Sequence, residues 1–240
     1  MEINAQFRET GLSPTQFAIV LCRLGKLVDV IAARQPGLQK DRWRLKGDSR
    51  EAAELYPAFE GDNPSLAAVA VLTEEFRNAD DQTFVAIWNG DVSSLVGASI
   101  TCHVGPPGEL NMLIVRIDWR EESTHGDGDM FIEAISCVVE EFNPAYVEVS
   151  PAEYFEKRVF DDKPGVGWML YLPHRITTQQ VPEARALIPI PSAGRKQTGT
   201  IIVSVVDEAF SADNPEHVEI ANRMEIRLVD HDLLPTYLSL

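Results

Sequence analysis

His125, Asp127 and Asp129 stand at near-alternate positions of a glycine-bearing stretch that follows Glu121 and Glu122, and all are residue types that ligate metal ions. An oxygen-rich loop of this kind would suit calcium, which takes about six to eight oxygen ligands. The EF-hand spacing is missing, however, and a loop that hands a strand over to a helix uses Gly and Asp for turning and capping in any case. The stretch therefore reads first as a connection, and second as the metal site of an enzyme of unrecognised type. Other catalytic patterns are weaker. The chain has no Gly-x-Ser-x-Gly elbow, no His-Glu-x-x-His and no Cys-x-x-Cys. His103, His125, His174, His217 and His231 are scattered among turns and polar faces. The acidic pairs Glu121-Glu122, Glu140-Glu141 and Asp161-Asp162 are adjacent in sequence, and neighbouring side chains diverge instead of converging on one bond. Gly165-Val166-Gly167 has two glycines at the interval of a phosphate loop, but Leu170 occupies the third position and no Walker lysine follows. Those glycines are expected to turn the backbone from the Pro164 loop into a strand.

The elements that must position these residues are legible as periodicities. Phe17, Val20, Leu21, Leu24, Leu27, Val28 and Ile31 recur at helical spacing until Pro36-Gly37. Ser13 as cap, Pro14 in the first turn and Gln16 completing a capping box would start that helix. A short strand at Trp43-Arg44-Leu45 follows, then helices over Ser49 to Leu55 and Ser65 to Phe76. Phe84 to Trp88, Leu95 to His103 and Leu110 to Asp118 read as strands, and the alternation of Leu113, Val115 and Ile117 leaves the other face of the third polar or near the surface. Asp129 is placed to cap a helix carrying Phe131, Ile132, Ile135, Val138, Val139 and Phe142.

A similar order then recurs: strand Tyr146 to Val149, helix Pro151 to Phe160, strands Val166 to Leu172, Ala186 to Ile190 and Thr200 to Val206, and helix Pro215 to Val229 capped by Asn214. The expected class is α+β, a mainly antiparallel sheet flanked by helices. It divides either into two similar α+β halves, 1–143 and 144–240, or not at all, as one compact domain.

Composition narrows the function. The 240 residues carry a formal net charge of −16, with 45% hydrophobic and 24% charged residues, which describes a folded protein and not a disordered one. Bases prevail as far as Arg50, and carboxylates from Glu51 onward. A field of that sign repels nucleic acid and anionic membrane and attracts basic proteins; acidity also serves plain solubility. The first residues lack the basic and apolar regions of a signal peptide, and the most apolar stretch, Phe17 to Ile31, is broken by Arg23, Lys26 and Asp29. Cys22, Cys102 and Cys137 lie in apolar elements and are expected buried and reduced, as in a cytoplasm.

The most distinctive words lie late in the chain. Asp162 to Pro173, with Gly165-Val166-Gly167-Trp168, precedes Val181-Pro182-Glu183-Ala184-Arg185, Gly199 to Val203 and Leu228 to Pro235. Together they resemble bacterial polymorphic-toxin immunity proteins of family 52. The resemblance implies a non-enzymatic cytoplasmic antidote without cofactor, encoded beside a toxin, often a nuclease delivered by type VI secretion, which it binds and neutralises stoichiometrically. Its expected partner is a basic toxin domain, not nucleic acid or membrane, and the antidote itself a monomer or homodimer. The family supplies no residue map. The candidate contact residues are therefore acids at strand-to-helix connections: Glu121, Glu122, Asp127 and Asp129, then Asp161 and Asp162, then Asp207 and Glu208 with Asp213. Trp119 is the first choice of aromatic anchor, ahead of Trp88 and Tyr154. Trp168 is expected to fill the core. A regulatory ligand-binding domain is the remaining alternative, for which a small-molecule pocket would speak.

Overall fold

The structure, a computed structural model, describes residues 1–47, 50–79, 81–90, 97–118, 127–191 and 196–240. Its central element is one that sequence reading passed over. Strand β1 (Glu2–Arg8) alternates Glu2, Asn4 and Gln6 with Ile3, Ala5 and Phe7, and the second set is fully buried. On one flank β1 pairs antiparallel with β7 (Leu110–Ile117), on the other with β8 (Tyr146–Ser150). It thereby joins the strands of the first half of the chain to those of the second.

The remaining strands extend the sheet both ways. They are β2 (Arg44–Leu45), β5 (Thr83–Trp88) and β6 (Ala98–Val104) on one side, and β9 (Met169–Leu172), β10 (Ala186–Ile190) and β11 (Gly199–Val203) on the other. A small ribbon, β3 (Phe59–Glu60) with β4 (Asn63–Pro64), stands apart. The large sheet has nine strands in the order β10-β11-β9-β8-β1-β7-β6-β5-β2, every described pairing antiparallel. The fold is α+β, with one sheet running through both halves. The halves thread it differently: β1 pairs with the last of its three long successors, β7, whereas β8 pairs with the first, β9.

Helices α1 (Phe17–Arg34) and α4 (Asp127–Phe142) cover the face that Ile3, Ala5 and Phe7 present. Phe7 meets Phe142 of α4 with ring centroids 5.0 Å apart. The predicted stripe of α1, from Phe17 to Ile31, is buried throughout. Lys26–Glu141 and Arg34–Glu133 pairs, each 2.7 Å, stitch the two helices at the surface, where such bonds contribute little. Helices α2 (Arg50–Leu55) and α3 (Leu66–Glu75) flank the first half, and Ser65, read as the first residue of α3, is its N-cap.

Helix α5 (Pro215–Asp230), capped by Asn214, lies on the opposite face over the strands of the second half, together with segment 151–166. Among the described residues no helix is seated on that face over β1, β7 and β6, where Glu2, Asn4, Gln6, Met112, Ile114, Ser99, Thr101 and His103 stay half-buried and Arg116 exposed.

Several local expectations are corrected. Helix α1 begins at Phe17, not at Ser13: the Gln16 side chain accepts from the Ser13 amide at 2.9 Å, but the Ser13 hydroxyl gives no return cap and residues 14–15 form a turn. Pro151 to Phe160 holds only a short 3-10 helix, Ala152–Glu156, in a segment that leaves β8 at Ser150 and returns to pair Trp168 with Val149 beside its own start. Helix α4 starts at Asp127, so Asp129 sits in its first turn and is not its cap. Cys22 is exposed, because its position in α1 faces away from the buried stripe; Cys102 is buried and Cys137 half-buried.

Because Phe7 fills the contact between the central strand and α4, Phe7→Ala should cost about 3–5 kcal/mol in urea unfolding. A loss below about 1 kcal/mol would show that β1 is not what joins the halves.

Candidate functional site

The antiparallel register decides which loops meet. Glu2 lies opposite both Arg116 and Ser150, Val149 opposite Met169, and Met169 opposite Val203. The C-terminal ends of β7, β8 and β11 therefore share one end of the sheet. Asp118 follows β7 there, Glu153 follows β8, and Asp207 and Glu208 follow β11, all exposed. Gly128 in the first turn of α4 approaches Trp168 and Met169, so that helix starts at the same end, with Asp129 exposed. Trp119, Glu121, Glu122 and His125 lie outside the described residues, as does the side chain of Asp127.

The connection from β11 to α5 is held in place. His217 of α5 is buried; its Nδ1 accepts from the Ser211 amide at 3.1 Å, which leaves Nε2 to donate to the Glu208 carboxylate at 3.0 Å. Lys157 Nζ donates to the Ala212 carbonyl at 2.6 Å and stands 3.6 Å from Asp213. A cleft of about 560 Å³ opens beside this loop, with Glu153, Glu208, Asp213 and His217 among its walls. The structure thus gathers Asp207, Glu208 and Asp213 with Asp118 and Glu153, two acids that sequence reading did not single out. Asp161 and Asp162 are placed elsewhere, beside Arg158 and Tyr237 on the α5 face.

Next to them lies a polar cluster that sequence reading missed. Glu148, in the middle of β8, is 7% exposed, and Glu225 of α5 is 1% exposed. Glu148 accepts from Ser150 Oγ at 2.9 Å and from the Gly165 amide at 3.2 Å. Glu225 accepts from the Tyr154 hydroxyl at 2.5 Å, the Val166 amide at 3.0 Å and the Val159 amide at 2.8 Å. Gly165-Val166-Gly167 is thus an anion-cradling loop whose anions are the protein's own carboxylates. A Cβ at Gly165 would stand 2.9 Å from the Tyr154 ring, and one at Gly167, where φ is +50°, 2.5 Å from Ser150 Cβ. Tyr154 is fully buried and so serves the core; Trp168, buried with its indole bonded to the Val205 carbonyl at 2.9 Å, also belongs to the core. Trp88 is half-buried, its indole donating to the Ala53 carbonyl at 3.3 Å.

Arg158, 9% exposed, donates to the Tyr237 hydroxyl at 2.8 Å and to the Asp161 carbonyl at 3.3 Å, and stacks 3.8 Å over the Phe155 ring. A second cleft, about 370 Å³, opens above it, with Asn4, Gln6, Tyr146, Glu148, Arg158 and Tyr237 in its walls. Two buried polar atoms of this cleft, Gln6 Oε1 and Arg158 Nε, have no hydrogen-bond partner. Pro151 borders both clefts, so the second is continuous with the acidic end of the sheet. Among the described residues no group of three His, Cys, Asp or Glu side chains is arranged to hold a metal ion, and no helix is long and apolar enough to cross a membrane.

Burial pushes the Glu148 carboxyl up to about 7, only partly offset by Ser150, Arg158 and the Gly165 amide, and it raises Glu225 as well. The folded protein keeps a proton on Glu148 that the unfolded chain releases, so stability falls as pH rises from about 4.5 to about 7 and stays lower above it. Glu148→Gln removes that titration. It should raise stability at pH 8, by on the order of 3 kcal/mol at most, and change little at pH 4.5. Equal effects at both pH values in paired urea melts would show that the carboxyl is not held protonated.

Comparison with known proteins adds to this geometry. A solved structure of a Pseudomonas aeruginosa T6SS protein superposes with a TM-score of 0.49 and 11% identity, over 93% of this chain and 75% of that one. No curated protein matches the chain. The model of the family described as immunity protein 52 matches residues 18–236, from the second residue of α1 almost to the C-terminus. The chain belongs to the immunity protein 52 family.

Proposed function

We propose that this protein binds a cognate antibacterial toxin, a basic nuclease domain of the kind delivered by type VI secretion, and neutralises it stoichiometrically in the cytoplasm without chemistry of its own. Family membership supports the immunity role, and one observation supports the mode of binding. That observation is the collection of exposed carboxylates (Asp118, Glu153, Asp207, Glu208 and Asp213) at one end of the sheet in a chain of net charge −16. A nuclease recruits a polyanion with a basic cleft, and an acidic surface exploits the same field. Steering of this kind lifts association from about 10⁵–10⁶ to roughly 10⁸–10⁹ M⁻¹s⁻¹ at low salt.

Asp118 after β7 and the start of α4 both lie at this end, and on that ground we include Trp119, Glu121, Glu122 and Asp127 with Asp129 in the contact surface, beside Asp207 and Glu208. Asp161 and Asp162 extend it along the second cleft.

The toxin domain encoded by the neighbouring gene should co-purify with the chain, and the association rate should fall steeply between about 50 and 500 mM salt. Reversing Asp207 and Glu153 to Lys, or Glu121, Glu122 and Asp127 to Lys, should each slow association about tenfold or more while leaving thermal stability near wild type. Failure to bind any adjacent toxin domain rejects the antidote reading. Binding with salt-independent association rejects the electrostatic mode.

A further inference from the structure

We infer that the cleft bounded by Asn4, Gln6, Glu148 and Tyr237 is a receptor for a single lysine or arginine side chain of the bound toxin. The inference rests on the antidote reading above and adds to it the residue that secures the complex once the acidic end has attracted it.

The chemistry of the walls selects a cation. In the lining, the carboxylates of Glu2, Glu148 and Asp161 stand against one buried guanidinium, Arg158. The cluster therefore has acceptor capacity in excess of its internal cation. An anion would meet these carboxylates, and Arg158 gives donors to Tyr237 and Asp161, with only its Nε left over. Gln6 Oε1 is a buried acceptor without a donor, and it borders the same space. An entering ammonium or guanidinium supplies the donors that Gln6 and Glu148 lack.

Shape and position agree. The volume of about 370 Å³ accommodates one long side chain. Tyr146 and Tyr237, ring centroids 6.2 Å apart, offer aromatic walls against which a cation is favoured. Among the described residues no helix covers β1, β7 and β6 on this face, which leaves an approach for a macromolecule. Because Pro151 borders this cleft and the acidic one alike, a partner drawn to Glu153, Glu208 and Asp213 is positioned to extend a side chain across it.

Charge at the rim alters association, whereas a buried pair alters dissociation. Two variants separate these effects. Glu148→Gln keeps shape and removes the carboxylate. Asn4→Lys, directly opposite Glu148 in the β1–β8 register, fills the cleft with an ammonium of the chain's own. Association and dissociation of the toxin domain would be followed by surface-immobilised binding at pH 8, with thermal melts as folding control. The expected result is dissociation at least tenfold faster for each variant, association within about twofold of wild type, and melts no lower than wild type. Alanine replacement of the toxin's lysines and arginines should reveal one whose loss is no longer felt in the Glu148→Gln background.

If the wild-type chain binds no toxin domain, the antidote reading fails and takes this inference with it. If wild type binds and both variants dissociate like it, the cleft is empty in the complex and the inference alone is overturned. Weakening by Asn4→Lys but not by Glu148→Gln would mean that an uncharged group enters, which also overturns it.

Discussion

The pleat of β1 is the constraint from which the rest of the architecture follows. A strand with a period of two must send Ile3, Ala5 and Phe7 to one side and Glu2, Asn4 and Gln6 to the other. The apolar set commits the first side to α1 and α4. The polar set then borders the cleft of Glu148 and the face on which β1, β7 and β6 carry no helix among the described residues. A slip of one residue in the pairing of β1 with β7 and β8 would exchange these sets, emptying the core contact at Phe142 and filling the cleft with hydrocarbon. Register, fold stability and the identity of the exposed face are therefore one property, set by seven residues that bridge the two halves.

On that frame the carboxylates divide into two populations with different physics. Asp118, Glu153, Asp207 and Asp213 stand in water, where each interaction is screened within about 8–10 Å at physiological salt. Their effect is collective and long-ranged, a field that attracts and orients. Glu148 and Glu225 are out of water, held by amides of the Gly165 loop and by hydroxyls of Ser150 and Tyr154. These contribute nothing to the distant field and much to local energetics, because a buried carboxylate is costly until it is fully hydrogen-bonded or paired.

What could be read from the sequence followed from local rules. Helical stripes, the Asn214 cap and most strand spans depend on residues a few positions apart, and they stand as read. So does the alternation in β7. The burial of Trp168 was legible from its apolar neighbours. Three things were not legible. The alternation of β1 has a small residue, Ala5, at its centre and is a weak apolar signal without its partner strands. The segment 151–160 carries helical composition but forms only a 3-10 turn, in a stretch whose chain doubles back to bring Gly165 and Trp168 beside β8. The Glu148–Glu225 cluster joins residues from β8 and α5 that are far apart in sequence. Two irregularities hinted at it: a Glu inside the apolar run Tyr146-Val147-Glu148-Val149, and a Glu on the buried stripe of Ala221, Met224 and Leu228.

The placement of the cluster also settles where the cost of desolvation falls. An exposed acid must shed water each time it enters an interface, so the gain from pairing is largely cancelled at the moment of binding. Glu148 is dehydrated already in the free protein, and its raised proton affinity is the signature of that state. The expense has been transferred from association to folding, where the core beneath β1 offsets it. A cation arriving there displaces a proton in place of a hydration shell, and relieves a strain that the fold otherwise carries. On the reading proposed above, such an arrangement serves rate as well as affinity: capture would rely on the solvated acids at the sheet end, and retention on a site that needs no further drying.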